Sequence, residues 1–343
     1  MAALPTISVI MPVFNCEKYL NESIESILNQ TFRDFEFIIL NDGSFDKSDE
    51  IIKEYQKSDD RIIYFKQESQ GITKSLNKGI KKSRGIFIAR MDADDICHVD
   101  RFSVQLHYLD ANPEVDILGC QANTINKSGR IINFIERPLD DYQIKWDLIF
   151  NTPLIHPSLM IRKIIFQKFG YFDESLPFGQ DVAYWRKISP MVVFNNLPEK
   201  LINYRIPDKL DIIKQGKQRI TRMKSNHGYI YNVTKVKIHP ILFTQFTDLF
   251  SDGIPHFPIF YPMIATIFRI RIGFIRRYCD QTQKVYYINW RLSNIFLKAL
   301  SYNQYSLKKQ ISLAALAILT NPIMIIKKHY WWGIKSSIGR SYF

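Results

Sequence analysis

The chain is 343 residues long, 46% hydrophobic and 23% charged, which excludes a disordered polymer and leaves room for a catalytic domain with an appendage. Its net charge of +13 is unevenly spread: residues 1–208 hold 25 Lys/Arg against 29 Asp/Glu, and residues 209–343 hold 21 against 4. An acidic body with a basic tail implies that the tail meets something anionic, lipid headgroups or nucleic acid.

Cys16, Cys97, Cys120 and Cys279 lie far apart, with no CxxC pair and no His at ligand spacing. A zinc site or disulfide framework is therefore not expected, and a reducing compartment fits the pattern. The first residues are uncharged and Ile7–Met11 already reads as a core strand, so no signal peptide is expected either.

In chain order, the strand Ile7–Met11 is expected to stop at Pro12-Val13-Phe14-Asn15 and turn. Glu17–Gln30 carries Leu20, Ile24, Ile27 and Leu28 at helical spacing, one apolar face for a sheet. Phe35–Leu40 is the next strand and ends in Asn41-Asp42-Gly43-Ser44. A helix bearing Ile51, Ile52 and Tyr55 follows, then strand Arg61–Phe65, helix Ile72–Lys82 and strand Ile86–Ala89. Four such alternations predict a parallel sheet with helices on both faces, and ligands of these sheets gather at the carboxyl ends of the strands.

Asp42 stands at one such end and Arg90-Met91-Asp92-Ala93-Asp94-Asp95 at another. Three carboxylates within four positions repel one another unless a positive charge sits between them. A divalent cation holding a diphosphate would supply it, and hard oxygen ligands suit Mg2+ or Mn2+. The competing reading is a solvated acidic turn capping the next helix. Asp42 is equally a turn former or an acceptor for a base N–H or a ribose hydroxyl.

Beyond the cluster, Val99–Leu109 reads as a helix and Val115–Gly119 and Arg130–Ile135 as strands. The alternation loosens here, which predicts a mixed sheet and the acceptor side of a cleft. Its polar points are Ile155-His156-Pro157-Ser158 and Gly179-Gln180-Asp181. His156 is open to a structural or a catalytic role, and Asp181 to an N-cap of helix Val182–Ile188 or a functional carboxylate.

Ser8-Val9-Ile10-Met11-Pro12-Val13-Phe14-Asn15, Asn41-Asp42-Gly43-Ser44, Met91-Asp92-Ala93-Asp94-Asp95 and Gly179-Gln180-Asp181 stand in the order and spacing of glycosyltransferase family 2. The chain resembles that family over residues 6–206. The resemblance implies an α/β fold of the GT-A (Rossmann-like) type, a mixed, mostly parallel sheet flanked by helices. It makes residues 1–208 the catalytic domain, with a basic, mainly helical C-terminal region at 209–343.

It further implies an inverting enzyme that uses a nucleotide-sugar donor, most simply a UDP-sugar, and a divalent metal. By resemblance Asp42 contacts the nucleotide base, with Pro12 and Phe14 as the wall of its pocket. Asp92 is the first acid of a DxD element, near the ribose, and Asp94 the second, which meets the metal and through it the diphosphate. Asp181 resembles the general base for the acceptor hydroxyl.

His156 and Ser158 fall where relatives carry a His-Pro-Ser/Thr stretch lining the cleft, and Gln180 and Trp185 are further candidate cleft residues. The chain departs from the family in having Gln180 where Glu is usual, and Lys187 beside Arg186 where one basic residue is usual six positions after the base. A nucleotidyltransferase would want a Gly-rich basic loop after the first strand, where this chain has Pro12-Val13-Phe14-Asn15-Cys16. A catalytically inactive transferase-like scaffold or binding module is the remaining alternative.

The tail places Lys214, Lys217, Arg219, Arg222 and Lys224 on an expected helix. The uncharged run 257–268 is followed by Arg269, Arg271, Arg276 and Arg277, and the run 311–326 is bounded by lysines and followed by Trp331-Trp332. Both are shorter than the roughly 20 residues of a spanning helix. Flanking cations and tryptophans suit an in-plane interfacial helix, whereas a small buried bundle is the alternative. The cations flank apolar runs instead of forming an exposed stripe, so no nucleic acid partner is expected. The expected place is cytoplasmic, peripheral to the inner face of the cell membrane, with a glycan or lipid-linked acceptor from surface polysaccharide or lipopolysaccharide assembly.

Overall fold

The structure is a computed structural model and describes residues 4–150, 152–176, 179–206, 228–238, 260–300, 315, 316 and 320. The chain divides into two compact units, residues 1–148 with 152–226, and residues 149–151 with 227–343. The boundary expected at 208/209 lies outside the described residues.

The first unit runs β1 (Ile7–Val13), α1 (Glu17–Leu28), β2 (Phe35–Asp42), α2 (Ser48–Ser58), β3 (Ile62–Gln67), α3 (Ile72–Lys82) and β4 (Phe87–Arg90). There follow β5 (Ile96–Cys97), α4 (Arg101–Ala111), β6 (Ile117–Ile125), β7 (Ile131–Ile135), α5 (Asp141–Asp147), β8 (Met160–Arg162), α6 (Ile164–Phe169), α7 (Gln180–Ile188) and β9 (Phe194–Arg205). These strands form one sheet in the order β3-β2-β1-β4-β8-β6-β9-β5, with β7 paired to β6. From the pairings, β1, β2, β3, β4, β6 and β9 run one way and β5, β7 and β8 the other. The fold is thus α/β with a mixed, mostly parallel sheet.

β1 and β2 are buried along their whole length, as central strands covered on both faces must be. Val9, Met11, Phe37 and Ile39 share a core with Leu20, Ile24 and Ile27 of α1, Ile52 of α2 and Phe102 of α4. On the other face Ile10 and Leu40 lie against α3 at Gly79. Below the sheet the buried Glu36 accepts from Ser8 Oγ (2.6 Å), Arg84 N (2.6 Å) and Arg84 Nε (2.7 Å), so its charge is fully engaged.

Several boundaries differ from the sequence expectation. β1 does not stop at Pro12 but continues to Val13, with Pro12 opposite Leu40 of β2. The Ile10 carbonyl accepts from Met91 N on the β4 side, and Pro12 two residues later faces the same way. The β1–β4 pairing ends at Ile10, so no donor is needed where proline has none. β4 begins at Phe87, because Ile86 is 62% exposed, and extends through Arg90. The acidic cluster leads into the two-residue β5 before α4 begins at Arg101, and the expected strand Val115–Gly119 reaches Ile125 as β6.

β8 and β9 were not expected as strands. β9 carries Pro198-Glu199-Lys200 in its middle, where the register against β6 shifts. A proline and a bulge break the period-two pattern by which strands are read.

In the second unit residues 228–234 are helical, followed by α8 (Phe260–Tyr278) and α9 (Thr282–Leu300). Ile264, Ile267, Ile270 and Phe274 of α8 are buried, as are Ile288 and Leu292 of α9, so Ile264 and Ile267 of the first apolar run are not open to solvent. A Cβ at Gly273 would lie 2.2 Å from the Thr234 carbonyl oxygen, so α8 crosses the 228–234 segment where there is no side chain. Among the described residues no helix is long and apolar enough to cross a membrane. Lys214, Lys217, Arg219, Arg222 and Lys224, most of the run 311–326, and Trp331-Trp332 lie outside the described residues.

Candidate active site

The carboxyl ends of β1, β2 and β4 lie side by side, and the sequence-predicted donor residues gather there. β4 delivers Arg90 to the sheet edge, Met91 N donates to Ile10 O (3.1 Å), and the chain turns through Asp92, Asp94 and Asp95. One carboxylate oxygen of each of these three lies within 4.8 Å of the others. Arg90 is buried and its Nη2 pairs with the Asp92 carboxylate. Burial works against its charge, but Asp92, then Asp95 and Asp94, outweigh this and hold it protonated.

A single guanidinium does not neutralise three carboxylates. Burial, reinforced by Asp92, pushes Asp94 up to about 6, while Arg90 and Arg205 pull it partway back. Asp95 is completely buried, and burial with its two acidic neighbours raises it well above the carboxylate range. Its Oδ1 accepts from Arg205 N (2.8 Å), whereas Oδ2 is buried with no hydrogen-bond partner. An orphaned buried carboxylate oxygen among acids that raise one another's pKa is the environment that a hard divalent cation relieves. The donor set therefore fits Mg2+ or Mn2+, with Asp92 and Asp95 beside Asp94, the expected metal contact.

Arg205, at the end of β9, holds this turn in place. It is 4% exposed. Its Nε donates to Asp94 O (2.8 Å), Nη1 to Asn126 O (2.8 Å) and Nη2 to Glu22 Oε2 (2.8 Å), and its guanidinium lies 4.1 Å from the Tyr19 ring centroid. Sequence reasoning missed it. A lone arginine 110 positions from Asp95 leaves no local signal; the only hint was a cation at the end of a stretch otherwise rich in strand formers.

Asp42, at the end of β2, is buried and accepts three hydrogen bonds from the end of β3 and the loop that follows it. These come from Gln67 Nε2 (2.7 Å), Gln70 N (3.0 Å) and Gly71 N (2.8 Å). Gly43 has φ +78°, and a Cβ there would stand 2.7 Å from Ser69 N. Asp42-Gly43 thus draws the 67–71 loop over the strand end, a role beyond the simple turn former. Asn15 N donates to Ser44 Oγ (3.0 Å) and Phe45 N to Asn15 Oδ1 (3.0 Å), which staples the ends of β1 and β2 together. Pro12 is buried inside β1. Phe14 is half-exposed and meets the exposed Phe45 edge-to-face at 6.1 Å, two apolar faces open at the strand ends. Phe45 also escaped the sequence reading.

The acceptor-side candidates lie across β4. The 3-10 turn His156–Ser158 presents His156 to Phe172 (5.8 Å between centroids) and Trp185 (6.3 Å). Burial and the Arg90 charge push His156 well below 6.5, so the ring is neutral at pH 7. Its Nε2 is buried without a partner, as are Arg90 Nε and Nη1. Ser158 is buried; its hydroxyl donates to Ile155 O (2.7 Å) and accepts from Cys120 N (3.2 Å), tying the turn to β6.

Gly179, at φ +69°, is the N-cap of α7, so Asp181 is not the cap but the second helical residue, half-buried in the first turn. Gln180 and Trp185 are buried on the same helix. Arg186 is buried and donates to Leu148 O (2.9 Å), while the exposed Lys187 donates to Phe169 O (3.1 Å). Asp181 is not one of the three clustered carboxylates. His156 meets Trp185 of α7 edge-to-face, and the Arg90 charge acts on its ring from the side of the cluster.

The chain is similar to known proteins in sequence and in fold. Residues 8–170 match the family described as Glycosyl transferase family 2. An uncharacterized glycosyltransferase of Methanocaldococcus jannaschii is 39% identical over 220 residues, 63% of this chain and 76% of that protein. The O-antigen biosynthesis glycosyltransferase WbnJ of Escherichia coli is 35% identical over 211 residues, 60% of this chain and 82% of that one. The crystal structure of S. aureus TarS 1-349 in complex with UDP-GlcNAc is similar in fold, with TM-score 0.54 and 16% identity over 90% of this chain and 89% of that one.

Proposed function

The chain belongs to glycosyltransferase family 2 and is a glycosyltransferase; from that premise we propose that it is an inverting enzyme moving a sugar from a UDP-sugar to a hydroxyl of a glycan or lipid-linked acceptor. The observation that carries the reading is the trio Asp92, Asp94 and Asp95 at the end of β4, with an orphaned buried oxygen on Asp95. These carboxylates would hold a divalent cation, which supplies positive charge against the charge that develops on a departing diphosphate.

The chain's own residues do the rest. Phe14 and Phe45 offer apolar faces to a base at the ends of β1 and β2, and Asp42 fixes the loop beside them. Arg90 and Arg205 hold the acidic turn at the sheet edge. Asp181, on the first turn of α7, takes the proton of the acceptor hydroxyl as its oxygen forms the bond to the anomeric carbon. The bond from that carbon to the diphosphate oxygen breaks, and its electron pair leaves with the nucleoside diphosphate. Attack opposite the leaving group inverts the carbon. The neutral His156 meets the buried Trp185 of α7 edge-to-face.

UDP heads the nucleotides to test because TarS, alike in fold, is described in complex with UDP-GlcNAc. Surface polysaccharide assembly is the proposed setting because an O-antigen transferase is a relative. Calorimetric titration with UDP, GDP, CMP and dTDP, with and without Mn2+, tests the donor site. UDP should bind only with metal, and Asp94→Asn should abolish that binding. Asp181→Asn should bind UDP as before and lose at least a hundredfold in transfer, the scale of general-base catalysis. Near-normal turnover of Asp181→Asn would remove it from the base role.

A further inference from the structure

Outside the site just described, the first unit carries a groove of about 270 Å³ along α3, lined by Gln67, Gln70, Glu174 and four lysines, Lys74, Lys78, Lys81 and Lys82. Residues 1–208 are acidic on balance, so four cations on one helix are a local inversion of sign. Three lysines elsewhere in this unit do meet carboxylates, Lys53 and Lys66 at Asp49 and Lys145 at Asp141. Among the described residues none of the four α3 lysines has an ion pair; Lys78 donates to the neutral Gln67 Oε1 (3.0 Å) and Lys81 lies 5.0 Å from the Tyr171 ring centroid. Glu174 in turn accepts from Asn77 Nδ2 (2.8 Å). Lys81 and Lys82 also complement the helix C-terminus, but Lys74 and Lys78 lie a turn or more too early for that.

Positions 74, 78, 81 and 82 share one helix face, and the row extends over roughly 12 Å at 1.5 Å per residue. That is longer than one phosphate or one diphosphate. Its ends are informative. Gln67 donates to Asp42 at the proposed base pocket, and Glu174 belongs to the segment leading toward α7. The row thus lies between the end of β3, which bonds to Asp42, and the segment that precedes α7 in the chain.

We propose that this groove binds an anionic stretch of the acceptor glycan, with negative charges repeated along a chain. Calling the ligand an acceptor rests on the transferase reading; the anion site itself does not.

Residue-resolved lysine acetylation of the full-length protein, read by mass spectrometry, tests this without confusion from the basic tail. The probes are an oligomer of glycerol phosphate, oligogalacturonate, neutral dextran, and phosphatidylglycerol vesicles. Either anionic oligomer should slow labelling of Lys74, Lys78, Lys81 and Lys82 at least fivefold, with Lys53 and Lys57 unchanged and dextran without effect. Lys74→Gln combined with Lys81→Gln should abolish protection of Lys78 and Lys82 while leaving Tm and UDP binding as in the wild type. No protection by either oligomer, protection by vesicles alone, or protection that survives the double variant would overturn the proposal. UDP titration of the same preparation reports separately on the donor site, so a failure of the transferase reading is seen as such.

Discussion

Arg205 shows how much of the site rests on one side chain remote from it in sequence. Its guanidinium satisfies the Asp94 and Asn126 carbonyls and pairs with Glu22, while its own backbone N–H caps Asp95. Replacing it with Met keeps the apolar stem and the N–H but strands the carbonyls in a buried place. Lost bonds to a charged group are worth about 1.5–3 kcal/mol each before compensation. Arg205→Met should therefore destabilise the protein by about 3 kcal/mol in urea unfolding. Because outer groups orient metal ligands, it should also weaken Mn2+ binding 10–100-fold. Wild-type Mn2+ affinity in a folded variant would deny Arg205 that positioning role. Asp92, Asp94 and Asp181 could be named from sequence because their motifs are local. Arg205 and Phe45 could not, because what defines them is a contact across the fold; Asp95 was legible as one of three clustered acids, but its bond from Arg205 N was not.

Among the elements, the β2–α2 turn and the β3–α3 loop act as a pair. Asp42 holds Gln70 N and Gly71 N, and Gly43 has φ +78° with no room for a Cβ against Ser69. Gly43→Ala meets both a disfavoured backbone conformation and a 2.7 Å contact with backbone. We expect a loss of about 1–3 kcal/mol, checked by urea unfolding, and a weaker UDP complex, checked by calorimetry. Unchanged values on both would mean that the loop gives way freely and does not shape the base pocket. Here the sequence was half legible: Asn-Asp-Gly-Ser announces a turn, but not the loop that the turn restrains. The same division holds for strands. β1 to β4 are apolar runs legible in the sequence although their ends shift, whereas β9 hides behind Pro198 and a register shift.

At the scale of the whole chain, charge separates what the two halves meet. Residues 209–343 carry 21 Lys/Arg against 4 Asp/Glu, and we propose that they bring the enzyme to an anionic membrane surface. In flotation assays the full-length protein should rise with phosphatidylglycerol vesicles, not with phosphatidylcholine vesicles, and should be released as salt screens the attraction. Binding to neutral vesicles alone, or to neither, would dismiss the electrostatic contact. Ile264, Ile267, Ile270 and Phe274 of α8 are buried, so these side chains do not offer an apolar face to the bilayer.

By itself the sequence determined the β/α alternation of the first 90 residues and the carboxylates at two strand ends. Periodicity and strand-end motifs are set by neighbours within a few positions, so they survive in one dimension. It also determined the family, through four motifs in order. Only the tertiary structure decided that six strands run one way, that β9 inserts beside β6, and that Arg205 closes over Asp94 and Asp95. It alone set Gln67 and Glu174 beside the four lysines of α3. These are pairings across tens to a hundred residues, fixed by the burial of apolar faces and the pairing of buried charges, and such pairings leave no pattern along the chain.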